Sequence, residues 1–482
     1  MKAILINPIS YIAMTSRTFI RTVTPVPCLG LAYLATILKE EGYEAFVEDQ
    51  YASGISNEEL VQKIKDFGAD IVGFSCLTTA MTTVEDAIQL LKKELPDVTI
   101  ILGDIHVTLF PEEVLRKTEA DIVVRGEGEE TLRELARLLK KGDSIAGVKG
   151  ISYRDGDEVI HNPDRPLIEN LDDLPFPDWS LVNLDYYESY PSLGVYGHVL
   201  PVQASRGCPY NCYYCSQDRF YKKTRYRDLS KVLDEMEYLV EVFGVKCIGF
   251  NDAYFPYSDE TAEEFCDGMI SRGLHKKITW FTELRVDVGS FKLYKKMKEA
   301  NVCLVMFGIE SGNQKVLDSM RKGTTLQQAR DATRYCDILR IKCMGLFMLG
   351  VPGETRETCW DTINFAKSLR LDIAKFNVAI PYPGSSFFDD FAKSFEHIDE
   401  LKDKFSSWYD WSVDDGEIIY APEGMGRREL VRLQRTAMIS FYLRPSLIIR
   451  TLMRMTFSLR DLFYGGMLLL KQNILPVGRK KD

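Results

Sequence analysis

Through the first 140 residues, short apolar runs alternate with stretches whose apolar positions recur every three or four residues. The runs at 3–7, 45–49, 70–76, 98–103 and 121–124 predict strands of the continuously apolar kind that a parallel sheet buries on both faces. Helical periodicity marks 29–41, 57–67, about 82–94, and segments that open at Pro111 and Glu129. Strands alternating with helices predict a doubly wound, Rossmann-like α/β domain over 1–145, with its ligand edge beyond the carboxyl ends of the strands. Residues 146–197 break the rhythm. There, Arg154-Asp155-Gly156-Asp157 reads as a hairpin turn and Leu174-Pro175-Phe176-Pro177 as an extended linker. A second series fills 198–385, with strands expected at 202–205, 247–250, 279–283, 302–307, 343–349 and 376–380. Helices fall between them, as at 229–243, 259–272, 326–339 and 356–369. Six such units predict a partial (β/α)6 barrel with its chemistry at the carboxyl ends of the strands. From 386 to 482 the chain reads as mostly helical, at 430–442, 447–457 and 462–470.

Composition narrows the class. The chain has 482 residues, 45% hydrophobic and 27% charged, which is ordinary for a globular protein of two or three domains. A net charge of -10 argues against a dedicated nucleic-acid binder. That charge is uneven: residues 425–482 hold 12 Lys/Arg against 3 Asp/Glu, a net of +9, so the remainder carries -19. Eleven cysteines are present, and Cys76, Cys247, Cys303 and Cys343 sit singly in apolar runs, as buried reduced thiols do. The apolar start, Ala3 to Ile6, is too short for a signal peptide, and no apolar run reaches the roughly 18 residues of a membrane span. A reducing cytoplasm is the expected location.

The densest chemistry is Arg206-Gly207-Cys208-Pro209-Tyr210-Asn211-Cys212-Tyr213-Tyr214-Cys215, which follows the first strand of the second series. Three thiolates spaced Cys-x3-Cys-x2-Cys on a loop of Gly, Pro and Asn suit an iron–sulfur cluster. Three ligands on a cubane of four irons leave one iron open to chelate a small molecule. A zinc site would need a fourth ligand, and the nearest histidine is His198.

This triplet before a six-unit βα series resembles the radical S-adenosylmethionine (SAM) superfamily over roughly 198–385. The resemblance implies a [4Fe–4S] cluster on Cys208, Cys212 and Cys215, with SAM on the open iron. One electron, supplied by a donor such as flavodoxin or ferredoxin, then cleaves SAM to a 5′-deoxyadenosyl radical that abstracts hydrogen. Residue by residue, it implies Tyr214 as the aromatic beside the third cysteine and Asn251 and Asp252 near the amino group of SAM. Arg285 falls near its carboxylate and Glu310 near its ribose or methionine end. The backbone of Val351 and Pro352 falls near adenine.

The first domain resembles that of the cobalamin-binding subclass. The likeness is carried by 27–34, by Gly103-Asp104-Ile105-His106-Val107-Thr108-Leu109-Phe110-Pro111-Glu112, by Val124-Arg125-Gly126-Glu127-Gly128-Glu129, and by the Leu-Pro-Phe-Pro linker. Small and hydroxyl residues at strand ends (Ser75, Thr78, Thr79, Gly103, Gly126 and Gly128) would let a flat macrocycle approach the backbone. His106 and Glu127 are counted with this candidate pocket. The pattern departs from the family in two places. Asp104-Ile105-His106-Val107-Thr108-Leu109 begins the Asp-x-His-x-x-Gly signature of a cobalt-ligating histidine but ends in Leu, so His106 reads as a packed or supporting residue, not an axial ligand. Asp104 also stands where the subclass usually has a second Gly.

Together these resemblances imply cobalamin-dependent C-methylation of an unactivated carbon in a lipid-like, tetrapyrrole or secondary-metabolite substrate. SAM methylates cob(I)alamin, a second SAM supplies the radical, and methylcobalamin delivers the methyl group. An oxidative cyclase like the anaerobic magnesium-protoporphyrin ester enzymes is the alternative, and a non-catalytic cobalamin or metabolite sensor the third. A methylthiotransferase would carry a second cysteine triplet in the first domain, where only Cys28 and Cys76 occur. The basic tail reads either as a packed helical cap or as a surface that meets an anionic membrane or lipid-like substrate.

Overall fold

The structure is a computed structural model. It describes residues 1–9, 26–187, 189–190, 195–196, 198–394 and 419–454. The helix expected at 462–470 lies outside the described residues, as does the end of the one expected at 447–457. Two compact units are present. The first comprises Met1–Glu188, Arg219–Arg227 and Asp389–Tyr409, and the second Ser189–Asp218, Asp228–Phe388 and Asp410–Asp482.

In the first unit, β1 (Lys2–Asn7), β2 (Glu44–Asp49), β3 (Ile71–Ser75), β4 (Thr99–Gly103) and β5 (Ile122–Val124) form a parallel array in the order β2-β1-β3-β4-β5. The order reverses between β1 and β3, where doubly wound sheets open a crevice for ligands. The strands are buried because Ile4, Ile6, Val72, Phe74, Ile100 and Leu102 feed one continuous core. Helices α1 (Leu29–Glu40), α2 (Asn57–Phe67) and α3 (Met81–Glu94) connect them. The start of α2 is fixed by a capping box between Ser56 and Glu59, and its end by left-handed Gly68. Short helices α4 (Ile105–Leu109) and α5 (Pro111–Lys117) follow β4, and α6 (Glu129–Lys141) follows β5. The linker region adds two antiparallel strands to this sheet, β6 (Ile151–Asp155) on β5 and β7 (Glu158–His161) on β6, turning at Gly156 as the sequence suggests.

In the second unit, β8 (Val199–Val202), β9 (Cys247–Phe250), β10 (Thr279–Leu284), β11 (Val302–Glu310), β12 (Lys342–Leu349) and β13 (Ile373–Val378) are all parallel and lie in chain order. Helices α7 (Leu229–Phe243), α8 (Asp259–Ser271), α9 (Phe291–Glu299), α10 (Gln314–Ser319), α11 (Leu326–Leu339) and α12 (Arg356–Ser368) alternate with them. Next come α13 (Arg427–Tyr442) and α14 (Pro445–Arg454).

Two strands lie three residues earlier than expected. Asn251 N–H still donates to the Val202 carbonyl, but β8 ends there because Ala204 N–H turns from the ladder to donate to the Asp252 carboxylate. β13 begins at Ile373 and includes Lys375, whose charge hides the strand pattern but which sits on the face that the helices leave accessible.

The opposite face is packed. Phe347 stacks on Phe376 with centroids 5.1 Å apart, and Phe376 meets Phe441 of α13 edge-on at 6.4 Å. No helix among the described residues is long and apolar enough to cross a membrane.

Candidate active site

The three cysteines lie on the loop that leaves β8. Cys215 N–H donates to the Cys212 carbonyl at 3.0 Å, closing a tight turn. Between them Tyr213 is pinned on both sides: its N–H donates to the Met320 carbonyl, and its carbonyl accepts from Phe387 N–H, each at 2.9 Å. Its ring also stacks on Phe387. The loop therefore has a fixed path before any cofactor binds. Burial pushes the Cys208 thiol up and the Cys215 thiol up to about 11, and the neighbouring thiols add to the rise at both. Arg285 and Lys322 act on Cys208 in the opposite sense. Half-buried thiols crowding one another beside two cations form a donor set that is stable as thiolates only when metal neutralises them. Among the described residues no group of three or more His, Cys, Asp or Glu side chains closes on one metal-ion position. In a cubane each thiolate would take its own iron, and Cys208, Cys212 and Cys215 would hold the cluster from this one loop.

Beside this loop is a buried polar cluster. Glu310, at the end of β11, has φ +65, a left-handed conformation that turns its side chain off the strand. Its Oε1 accepts from Tyr214 Oη at 2.9 Å and from Lys322 Nζ at 2.9 Å, and Lys322 Nζ lies 3.1 Å from Tyr214 Oη. Burial pushes the Tyr214 phenol up, and Glu310 adds to that. The charge of Glu310 helps keep buried Lys322 protonated. Arg285 stands close by: its guanidinium lies 3.5 Å from the Tyr210 ring centroid, pairs with both oxygens of Asp287 at 3.0 and 2.9 Å, and donates to the Lys322 carbonyl at 2.9 Å. The structure thus gathers Tyr214, Arg285 and Glu310 around the cysteine loop. It adds Lys322, Asp287 and Tyr210, which the sequence reading did not single out. Lys322 lies in the turn after α10, not at a strand end where this fold class concentrates its chemistry.

The remaining expected residues are held by their own partners. Asp252 is buried, with a carboxyl pushed up to about 6 by that burial, and its oxygens accept from Ala204 N–H, Ser205 Oγ at 2.7 Å and Tyr257 Oη at 3.2 Å. These bonds fix the chain entering the cysteine loop. Asn251 is exposed at the end of β9, and its carbonyl accepts from Gln203. Val351 and Pro352 follow left-handed Gly350. Buried Glu354, another residue the sequence reading missed, accepts from Gly350 N–H at 2.6 Å and Val351 N–H at 3.1 Å and so shapes that turn.

The register shows what else faces the accessible side of this sheet. Glu283, Met306 and Met344 form one cross-strand row, and Gly308, Leu346 and Lys375 the next. Desolvation by surrounding protein raises the Glu283 carboxyl and lowers the Lys375 ammonium on this solvent-accessible face; Glu310 adds to the rise at Glu283, and Glu283 partly offsets the fall at Lys375. The face therefore joins a thioether-lined apolar floor with one acid and one base.

In the first unit the predicted strand-end residues do come together. Ser75 Oγ donates to Asp104 Oδ2 at 2.7 Å, Thr108 Oγ1 donates to the Asp104 carbonyl at 2.8 Å, and Gly126 N–H donates to Thr108 Oγ1 at 3.0 Å. This thread ties the ends of β3, β4 and β5. Thr78 Oγ1 lies 3.1 Å from His106 Nδ1, and Thr79 shares its 3-10 turn. His106 is buried against Phe110, and burial holds its imidazole down to about 4. A Cβ built on Gly103 or Gly126 would meet nothing within 4 Å, so both backbones front open space, as a macrocycle cradle requires. Gly128 instead packs against Leu34. Glu127 does not offer its carboxylate to that space: both oxygens pair with Arg225 at 2.7 and 2.9 Å, and one also accepts from Ile168 N–H at 2.9 Å.

Comparison with known proteins identifies the family. The B12 binding domain family matches residues 19–136, and the Radical SAM superfamily matches 202–366. An uncharacterized methyltransferase of Pyrococcus horikoshii is 35% identical over 89% of this chain and 90% of its own length. An anaerobic magnesium-protoporphyrin IX monomethyl ester cyclase of Cereibacter sphaeroides is 33% identical over 79% of this chain, which spans 62% of that enzyme. The radical SAM methyltransferase TsrM of Kitasatospora setae, solved with cobalamin and a [4Fe-4S] cluster bound, shares the fold at a TM-score of 0.65 and 19% identity, covering 82% of this chain and 75% of TsrM. The chain belongs to the cobalamin-binding radical SAM enzymes, the family of methyltransferases and of their cyclase relatives, whose cofactors are a [4Fe–4S] cluster, SAM and cobalamin.

Proposed function

We propose that this protein methylates an unactivated carbon of a small, largely apolar molecule, using cobalamin and a cluster held by Cys208, Cys212 and Cys215. The observation that carries the reading is the pairing, in one chain, of a three-thiol loop beside buried cations with a glycine-lined strand edge that is open to a flat ligand. With the groups bound, the cluster and SAM would supply a carbon-centred radical and cobalamin a methyl group. Lys322, Glu310 and Tyr214 would orient the methionine end of SAM, with Arg285 braced behind them by Asp287 and Tyr210. The turn at Val351 and Pro352, held by Glu354, would meet adenine. Ser75, Thr78, Thr79, Gly103 and Gly126 would border the corrin, with His106 supporting them from behind. Substrate would lie on the accessible face, its body against Met306 and Met344 and its polar groups toward Glu283 and Lys375. A flavodoxin- or ferredoxin-like donor would supply the electron.

The cyclase reading is kept because of the 33% identical relative. The methyltransferase reading is preferred because the Pyrococcus relative matches over nearly its whole length.

The two differ in the fate of SAM. Anaerobically reconstituted protein, given cobalamin, SAM and a strong reductant, should form both 5′-deoxyadenosine and S-adenosylhomocysteine. The latter should depend on cobalamin. Formation of 5′-deoxyadenosine alone would support the cyclase, and formation of neither would leave the sensor.

A further inference from the structure

At the amino-terminal ends of β11 and β12, away from the cysteine loop, the second unit has a cavity of about 930 Å³. Helices α9, α11 and α12 end there, and α14 forms one wall. Seven basic side chains line it against two acidic ones, Asp337 and Asp372.

Three of the cations have a structural task. Helix carboxyl ends leave unsatisfied carbonyls and a negative dipole end. Lys298 donates to the Arg340 carbonyl at 3.3 Å, Arg444 to the Lys367 carbonyl, and Arg450 to the Leu371 carbonyl. Arg444 and Arg450 of the basic segment thus cap this end of the unit. Capping does not account for the rest. The side chains of Arg340, Lys367 and Arg370 make no hydrogen bond or ion pair among the described residues, although all three line the cavity. The two acids are already engaged, since Arg450 lies 3.8 Å from Asp337 and 3.6 Å from Asp372, and they leave those three cations uncompensated. Arg444 is lowered to about 10 by burial and by Arg450, so positive charge is crowded.

The same wall carries exposed apolar groups. Leu443 is 63% exposed, Ile448 45% and Ile449 56%, all within or just before α14. Ile449 lines the cavity together with Arg450. An amphipathic helix that presents aliphatic side chains beside unpaired cations matches an anionic lipid surface, with acyl boundary under the isoleucines and headgroup phosphate at the arginines. A soluble phosphate would match the cations but give no reason for three exposed aliphatic groups. We propose that this face docks on an anionic phospholipid membrane and that a headgroup phosphate enters the cavity at Arg340, Lys367 and Arg370. The proposal is independent of the methyl-transfer reading.

The test is co-sedimentation of the full-length, anaerobically reconstituted chain with vesicles of phosphatidylcholine alone or with about 30 mol% phosphatidylglycerol. The bound fraction should rise about tenfold with phosphatidylglycerol and fall steeply between roughly 0.1 and 0.5 M salt. The doubles Ile448→Asn/Ile449→Asn and Lys367→Gln/Arg370→Gln should each abolish most of it at unchanged melting temperature and unchanged SAM cleavage. Lys367→Arg/Arg370→Lys should bind as the parent does. Equal pelleting on neutral vesicles, no pelleting at all, or parental binding by both doubles would overturn the proposal. Stabilisation by inorganic phosphate without any pelleting would also overturn it and point to a soluble anion instead.

Discussion

Lys322 Nζ lies 2.9 Å from Glu310 Oε1, in a site where both side chains are about nine-tenths buried. A buried carboxylate that loses its cation is left uncompensated, at a cost of roughly 3 kcal/mol. Lys322→Met should therefore lower the melting temperature sharply and abolish SAM cleavage. Adding Glu310→Gln should recover most of the stability but none of the cleavage. Anaerobic thermal melts and 5′-deoxyadenosine formation measure the two effects separately. Full recovery of both in the double variant would show that the pair only holds the fold.

The Glu127–Arg225 pair is also buried, with each side chain 5% exposed. Its bidentate geometry needs a planar guanidinium. Arg225→Lys should lose stability nearly as fully as Arg225→Met, about 3 kcal/mol by urea unfolding. A lysine variant indistinguishable from the parent would show that charge alone suffices.

Protonation of His106 gives a pH dependence with a defined sign. Its folded value lies near 4, held down by burial and by the charge of Lys117, against an ordinary 6.5. Between those values the unfolded chain binds a proton that the folded chain refuses. Its contribution is therefore intact above about pH 6.5 and lost as pH falls toward 4, by up to about 3 kcal/mol. In urea melts of the cobalamin-free protein, His106→Gln should be less acid-sensitive than the parent across that window. Parallel curves would count against it.

Asp104 has φ +88 and ψ -177, a region that only glycine enters freely. It is held there by Ser75 Oγ, which donates to Asp104 Oδ2 at 2.7 Å, and by Ile105 N–H, which donates to Asp104 Oδ1 at 2.6 Å. Asp104→Ala keeps the strain and loses both bonds. Asp104→Gly loses the bonds but relieves the strain. The glycine variant should be more stable than the alanine variant by about 1–2 kcal/mol in the same urea assay. The reverse order would contradict the strain argument.

Legibility in the sequence followed burial. The helices at 57–67, 229–243 and 326–339 and the strand at 247–250 match the apolar pattern residue for residue, because each has a fully apolar run or a clean amphipathic stripe between strong caps. The first and last strands of the second sheet were displaced. In one, the Asp252 carboxylate, from the bend after β9, takes the next amide and ends the ladder early, and in the other Lys375 sits on an accessible sheet face where periodicity predicts solvent. The cysteine loop was legible because its chemistry is local. Lys322 was not, since nothing in Met320-Arg321-Lys322-Gly323 reveals that the turn folds under Glu310. Nor could Glu127 be separated from the glycines flanking it until Arg225, nearly a hundred residues away, was seen to occupy both of its oxygens.

That last pairing has a consequence for biosynthesis. Arg219–Arg227 folds with the first unit but leaves the ribosome after Cys215. A nascent chain that has emerged only as far as residue 188 holds Glu127 with no guanidinium to meet it, so the first unit cannot reach its final form until the start of the second has been translated. Domains commonly finish folding one after another from the amino terminus, whereas the Glu127–Arg225 pair has to form after the start of the second unit has emerged. The same topology means that the first unit, expressed as a fragment ending near 188, would lack its own closing residue.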